Sequence, residues 1–412
     1  MIAISAAILA SGFAIPEQGA AALGQSNAFV ARADDASAVY YNPAGLAGQK
    51  GLRIDVGDTL ILPTISADLS GSYSGVPVSG TWAAQKKLFF PPQLYVSYGG
   101  DSWGAGIGVN APFGLGVFWP DRWAGQYDTQ LVNLQIIEIA PAIAYSIGPV
   151  RLGASLRYLT GSIEYQQGIN FYSNDFKSGL GDLVGAGSGL GFSLGAQASL
   201  MDKKLDVGLN YRSRTTMTFD GQIHYSGVPG TFAGYIHDGP AHATTRLPDQ
   251  VMLGVSYRVS DPLTVSLQGD YTAWQLFDEF HATLDAYCAP GAPCKNEIKS
   301  PRNWHHTLTG RLGGEYRLSE KYRARAGVFY DQGASPEDTL SASLPESSRV
   351  GGSLGFGFDL AAGVGIDLGV TYAQFFSITS NPDGSVPGLL PATYHANALL
   401  FGVGVNYGGR GR

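Results

Sequence analysis

Residues 364–372 read Val-Gly-Ile-Asp-Leu-Gly-Val-Thr-Tyr. In an extended chain Val364, Ile366, Leu368, Val370 and Tyr372 point one way and Gly365, Asp367, Gly369 and Thr371 the other, giving one greasy and one polar face. The pattern recurs along the chain. Leu263, Val265, Leu267 and Tyr271 oppose Thr264, Ser266, Gln268 and Asp270, and Leu205, Val207, Leu209 and Tyr211 oppose Asp206, Gly208, Asn210 and Arg212. The apolar face often ends in tyrosine. Tyr158, Tyr211, Tyr257, Tyr271, Tyr372 and Tyr407 therefore read as a girdle, with rings in an apolar band and hydroxyls reaching water.

The chain has 412 residues, with Gly 57, Tyr 22 and only 14% charged residues, a balance unlike that of a cytosolic enzyme. Beyond the N-terminus there is no apolar run of about 18 residues, which excludes a helical membrane span. A transmembrane barrel is compatible, because its strands need only about 9 to 11 residues each and alternate in polarity. The net charge of -7 comes without a basic patch, which argues against nucleic acid as a partner. Short turns are expected near 99–101, 147–149, 201–203, 260–262, 318–320 and 361–363. Longer polar segments fall near 62–90, 111–130, 162–189, 213–246, 275–304, 332–349 and 376–396. Six turns and seven loops join about 14 strands, an even number that leaves both ends on the short-turn side. A soluble β-sandwich would need a dry core between its sheets, whereas the second face here carries Gly, Ser, Thr, Asn, Asp and Arg.

The expected fold is thus an all-β, transmembrane, antiparallel β-barrel over residues 51–407, with a tail at 408–412. Residues 1–10 read as the apolar core of a secretory signal peptide. A barrel this wide leaks unless filled. Residues 11–50, small and Gly/Ala-rich with few charges, are the expected N-terminal hatch inside the lumen. Cys288 and Cys294, in Tyr-Cys-Ala-Pro-Gly-Ala-Pro-Cys, suit a disulfide in an oxidising compartment rather than a metal site, since no second pair completes four ligands.

Residues 32–45, Arg-Ala-Asp-Asp-Ala-Ser-Ala-Val-Tyr-Tyr-Asn-Pro-Ala-Gly, resemble the hatch segment of the FadL-type outer-membrane transporter family, with Asp34, Asp35, Asn42, Pro43 and Ala44 as its motif. Asn110-Ala111-Pro112-Phe113-Gly114-Leu115, Arg122-Trp123-Ala124-Gly125-Gln126-Tyr127, Leu247-Pro248-Asp249 and Leu344-Pro345-Glu346 follow in the family's order, with Glu346 where aspartate is usual. The resemblance implies a bacterial outer-membrane channel of fourteen strands for passive uptake of hydrophobic molecules: fatty acids, aromatic hydrocarbons or, in the laboratory, detergents. It implies contact with lipid and lipopolysaccharide, a monomeric state and no cofactor. It also implies that the hatch's N-terminal end reaches the pocket, with Phe13 as the contact, and that a kinked strand opens a side exit.

Candidate apolar lining residues near the outer mouth are Phe113, Leu115, Phe118, Trp119 and Trp123. A fatty-acid carboxylate would need a cationic or donor partner. Alternation places Arg157, Arg323 and Arg325 on the lumen side, and His305 shares the parity of Thr307, Thr309 and Arg311. Pairing with lumen carboxylates such as Asp34, Asp35, Asp206 or Asp367 is the competing reading. A porin-like channel for polar solutes is the alternative function. A barrel hydrolase is a further one, since Ser193 and Ser353 each sit in a G-x-S-x-G pattern, although neither lies at a strand-to-helix elbow. His305-His306 has no further ligands at metal spacing.

Overall fold

The computed structural model describes residues 12–73, 76–171, 178–285, 296–382 and 389–408. The signal-like residues 1–10, Cys288, Cys294 and residues 409–412 of the tail lie outside them. The described residues form fourteen strand positions. They are β1 (Gly51–Tyr73), β2 (Val76–Ala83 and Pro92–Gly99), β3 (Trp103–Phe118), β4 (Leu131–Ile147), β5 (Val150–Asn170), β6 (Ser178–Leu200) and β7 (Leu205–Arg212 and Thr215–Ser226). There follow β8 (Gly239–Leu247 and Gln250–Arg258), β9 (Leu263–Thr272 and Glu279–Leu284) and β10 (Glu297–Pro301 and Thr307–Arg317). β11 (Tyr322–Asp331), β12 (Arg349–Asp359), β13 (Val364–Phe375 with Ile378–Thr379) and β14 (Ala392–Tyr407) complete the set. Each strand pairs antiparallel with its neighbours. β14 pairs with β1 from Tyr407 opposite Ile54 to Ala392 opposite Leu69, so the sheet closes on itself.

Closure satisfies the backbone that lipid cannot. The apolar parity faces out: Leu267, Leu354, Val403 and Ile143 are exposed, whereas Gln268, Ser353 and Asp367 on the other parity are buried in the interior. Six short connections fall where the sequence places them. The long loops are shorter than the sequence suggests. β1 and β6 each run 23 residues, and β3 and β5 continue into segments expected to be loop. The reason is physical: beyond the bilayer the outward face of a strand meets water while the inward face lines an apolar cluster with Ile65, Ala67, Leu69, Phe113, Leu115, Ile163 and Tyr165, so the polarity pattern changes sides although the hydrogen-bond ladder continues.

Residues 12–50 lie inside the cylinder, nearly all of them buried. Two short helices, α1 (Ala20–Leu23) and α2 (Ala38–Tyr41), and the 3-10 turn Pro43–Gly48 give them shape. Backbone groups of this segment find partners on inward side chains of the wall. Gln268 Oε1 accepts from the Phe29 and Val30 amides, Gln93 Nε2 donates to the Glu17 carbonyl, and Ser353 Oγ accepts from the Ser26 amide. This is one reason why the lumen face of the wall is polar: its side chains partner the backbone of the N-terminal segment.

Candidate functional site

The Asn42-Pro43-Ala44 motif seats this segment against β5, β6 and β7. Asn42 Nδ2 donates to the carbonyls of Val30, Ala196 and Leu209, while its Oδ1 accepts from the Ala44 amide. Glycines make the approach possible. A Cβ at Gly195 would stand 2.1 Å from Asn42 Oδ1, and one at Gly153 would stand 2.4 Å from Ala44 N. Asp35 closes the preceding turn by accepting from the Ser37 amide and hydroxyl. Asp34 pairs with Arg32, which also reaches Glu315 of β10.

The lumen arginines named from sequence are engaged elsewhere. Arg157 pairs with Glu138 at 2.6 Å and donates to the Ser213 carbonyl; the same carboxylate holds Arg212, whose guanidinium lies over the Tyr40 ring. Arg325 is held between Glu315 and Asp367. Taking a ligand carboxylate would mean breaking a buried pair, which costs about 3–5 kcal/mol. Both therefore belong to the wall that holds the N-terminal segment rather than to a ligand site. His305 is corrected for another reason: it is exposed, because the chain leaves strand geometry at 302–306 and the parity shared with Thr307 is lost. Ser193 Oγ donates to Asn210 and Ser353 bonds to Ser26, so neither has a histidine base.

Phe13, Phe113 and Leu115 do come together. Ile15 N donates to the Pro112 carbonyl and Gly114 N to the Phe13 carbonyl, so the start of the N-terminal segment pairs with β3. The Phe13 ring packs against Phe113, Trp274, Phe277 and Trp304, with centroids 4.8–6.2 Å away. It forms one wall of a narrow cavity, ≈ 50 Å³, together with Leu115, Leu134, Ile163, Phe219 and Phe280. Trp119 and Trp123 stack 4.1 Å apart above it and belong to the same apolar cluster. Phe118 does not line the cavity. It is partly buried against the Ile61 and Phe89 cluster, with the Lys87 ammonium over its ring.

Arg302 was missed from sequence. It sits just past Glu297–Pro301, where strand parity stops, so alternation could not assign its side, and in a segment read as polar loop a further cation carried no signal. It is buried, lines the cavity, and donates from Nη2 to Ser343 Oγ at 2.9 Å. Its Nε has no partner, and no carboxylate among the described residues lies within ion-pair distance of it. Ser343 leads on through Ser341 to Asp128, which accepts from Ser341 Oγ and the Ala342 amide. Trp119 Nε1 donates to the Ala342 carbonyl, so the loops at 119–130 and 332–348 are clasped over the cavity. Burial pushes the Asp128 carboxyl up to about 6. Glu346, accepting from the amides of Ala334, Ser335 and Gly12, is likewise pushed up to about 7 by burial.

The wall has a side gap in its hydrogen-bond ladder. β3 bulges between Asn110 and Phe113, and its pairing with β2 ends at Val109 opposite Leu94. β2 is itself interrupted over 84–91, and contact with β3 resumes only where Gln85 N donates to the Phe118 carbonyl. The N-terminal residues Phe13 to Ile15 cover this free edge from inside.

A closed fourteen-strand barrel, apolar outside, with an enclosed apolar cavity and a break in its wall, defines a transmembrane carrier of hydrophobic compounds. The comparisons make this specific. The family described as outer membrane protein transport protein (OMPP1/FadL/TodX) matches residues 1–408, and the chain belongs to it. It is an outer-membrane transport protein and not an enzyme. It is similar to the long-chain fatty acid transport protein of Escherichia coli O6:H1 (25% identical, 98% of this chain and 96% of that one). It is also similar to outer membrane protein P1 of Haemophilus influenzae (25%, 97% and 95%). Among solved structures it resembles a Pseudomonas aeruginosa FadL homologue, with a TM-score of 0.85, 18% identity and 96% and 99% of the two chains covered. The Pseudomonas putida toluene transporter TodX has the same fold, with a TM-score of 0.71, 14% identity and 93% and 97% covered.

Proposed function

We propose that this protein carries long-chain fatty acids through the outer membrane, and that residues 11–50 act as the hatch that gates them. The observation that supports this is Arg302, a buried guanidinium in the lining of a mostly apolar cavity, with no carboxylate within ion-pair distance among the described residues and the Asp128 carboxylate reached only through Ser343 and Ser341. Burying a hydrocarbon tail yields about 0.8 kcal/mol per CH2, so affinity comes from the greasy wall. Selectivity comes from the cation. A charge-assisted hydrogen bond adds about 1.5–3 kcal/mol for an acid over a neutral hydrocarbon of equal length.

The cavity is too narrow for a whole tail while the Phe13 ring stands in it. Displacing Phe13 widens it, and displacing Ala14 and Ile15 with it uncovers the free edge of β3 and the side gap. Loading, release and lateral exit are then parts of one movement of the hatch tip. No energy source is needed, because the cargo partitions into lipid downhill.

The test is ligand binding by the detergent-exchanged protein. Arg302→Met is expected to weaken oleate binding by about tenfold to about a hundredfold and to leave binding of an equally long alkene unchanged. Equal loss of both ligands would show only damage to the cavity, and no loss of oleate would remove the fatty-acid assignment. Faster uptake of small sugars than of oleate by liposomes would favour a polar channel instead.

A further inference from the structure

Asp58 is a carboxylate on the wrong face of the barrel. On β1 the inward parity is Arg53, Asp55 and Thr59, whereas Val56, Asp58 and Leu60 face the membrane, and Val56 is half exposed. Asp58 stands four residues from Ile54, opposite the girdle residue Tyr407. It stands four residues from Leu62, opposite Leu399, which in turn faces Tyr372. Both tyrosines are exposed, so Asp58 lies midway between the two aromatic belts, at the depth where a charge is most costly. An ionisable group held in hydrocarbon marks a site whose partner must be found. Its Oδ1 is shielded from solvent and has no hydrogen-bond partner.

Around it the outer wall is not flat. A groove of ≈ 620 Å³ runs across β12, β13, β14 and β1, walled by Leu354, Phe356, Leu368, Val370 and Phe401, with Phe90 and Asp58 also in its lining. Its floor is backbone at Gly355, Gly369 and Gly402, whose inner sides touch Ala20, Leu23 and Gly24 of the N-terminal segment. Phe90 belongs to the 84–91 interruption of β2 that also borders the side gap. The groove is therefore next to the place where a chain leaving sideways reaches the bilayer.

We propose that this groove receives the tail of a fatty acid in its protonated form, with the acid O–H donating to Asp58. The idea rests on the fatty-acid reading above. A carboxylate that leaves Arg302 for hydrocarbon takes up a proton from water, and the carboxyl group so formed is a donor for Asp58, whose carboxylate is supported by the Thr59 amide and whose Oδ1 becomes a second acceptor once the side chain turns toward the groove. Simple aromatic hydrocarbons and esters have no such donor and gain nothing from Asp58.

The experiment uses the full chain in phosphatidylcholine vesicles with a stearic acid bearing a diazirine near its methyl end, cross-linked by light and mapped by mass spectrometry. Labels are expected on two sets of peptides. One carries inner-wall residues such as Leu134 and Phe219; the other carries groove residues Leu354, Leu368 and Phe401, enriched over lipid-facing Leu267 and Leu312. Asp58→Leu is expected to lower groove labelling by about tenfold while inner labelling stays. That variant removes a charge from the lipid face and should fold; its heat-dependent gel mobility checks this. Excess oleic acid should compete in the groove and methyl oleate should not. Groove labelling equal to that of Leu267 and Leu312, or unaffected by Asp58→Leu, would overturn the groove while leaving the internal site intact. Loss of inner labelling alone would count against the transport reading instead.

Discussion

Phe13 is at once wall and obstruction. Four aromatic rings hold it, yet it stands where a tail would lie, so Phe13→Ala enlarges the cavity and removes the piece that must move. The expected result is release of bound oleate faster by about tenfold, read by stopped-flow displacement; an unchanged rate would take Phe13 out of the gate. Titration argues at the same scale. The Asp128 and Glu346 carboxyls are raised by burial above their unfolded values near 4, to about 6 and about 7. Between those limits the folded protein holds more protons than the unfolded chain, so stability is greatest at low pH and falls as pH rises through the window. The urea midpoint should therefore drop from about pH 5 to about pH 8, and Glu346→Gln should flatten part of that slope. A midpoint that rises over this range would contradict the burial of both groups. The sequence pointed to Phe13 through resemblance but not to Arg302, because the reading used strand parity and Arg302 sits in a five-residue break where parity carries no information.

At the scale of elements, the membrane-crossing strands were legible because lipid outside and polar contacts inside impose period two on every one of them. Their outward continuations were not. β1 beyond Leu62 and β5 beyond Ser162 keep their ladder above the bilayer with Ile65, Leu69, Ile163 and Tyr165 turned inward and polar residues outward, so the apolar parity that marks the lipid face has changed sides. The contact between the 3-10 turn Pro43–Gly48 and the wall was half legible: Asn42-Pro43 announced a turn, but nothing marked Gly153 and Gly195 as its seats. Gly195→Leu cannot coexist with Asn42 in its present position. Such a variant should insert as a barrel but pass ions in a planar bilayer. Gly269→Ala, where no atom lies within 4 Å of the added carbon, should behave as wild type. Equal conductance for the two would mean that this contact does not hold the segment in place.

For the whole molecule, removing residues 12–50 should turn a closed carrier into an open pore. Single-channel conductance is the measure, and a conductance like that of the intact protein would rule out the plug. One arrangement has a bearing on how the molecule is made. The helix Ala20–Leu23 touches Gly369 and Gly402 on the last two strands and lies against the junction of β14 with β1, so a part of the chain made before the barrel strands is in contact with the last strands to be made. Docking of the ends and sealing of the circle are thereby coupled. A cylinder zipped up empty would have to admit its own beginning afterwards through a mouth already narrowed by clasped loops, whereas a sheet curling around that beginning finds in it the template on which its two edges meet.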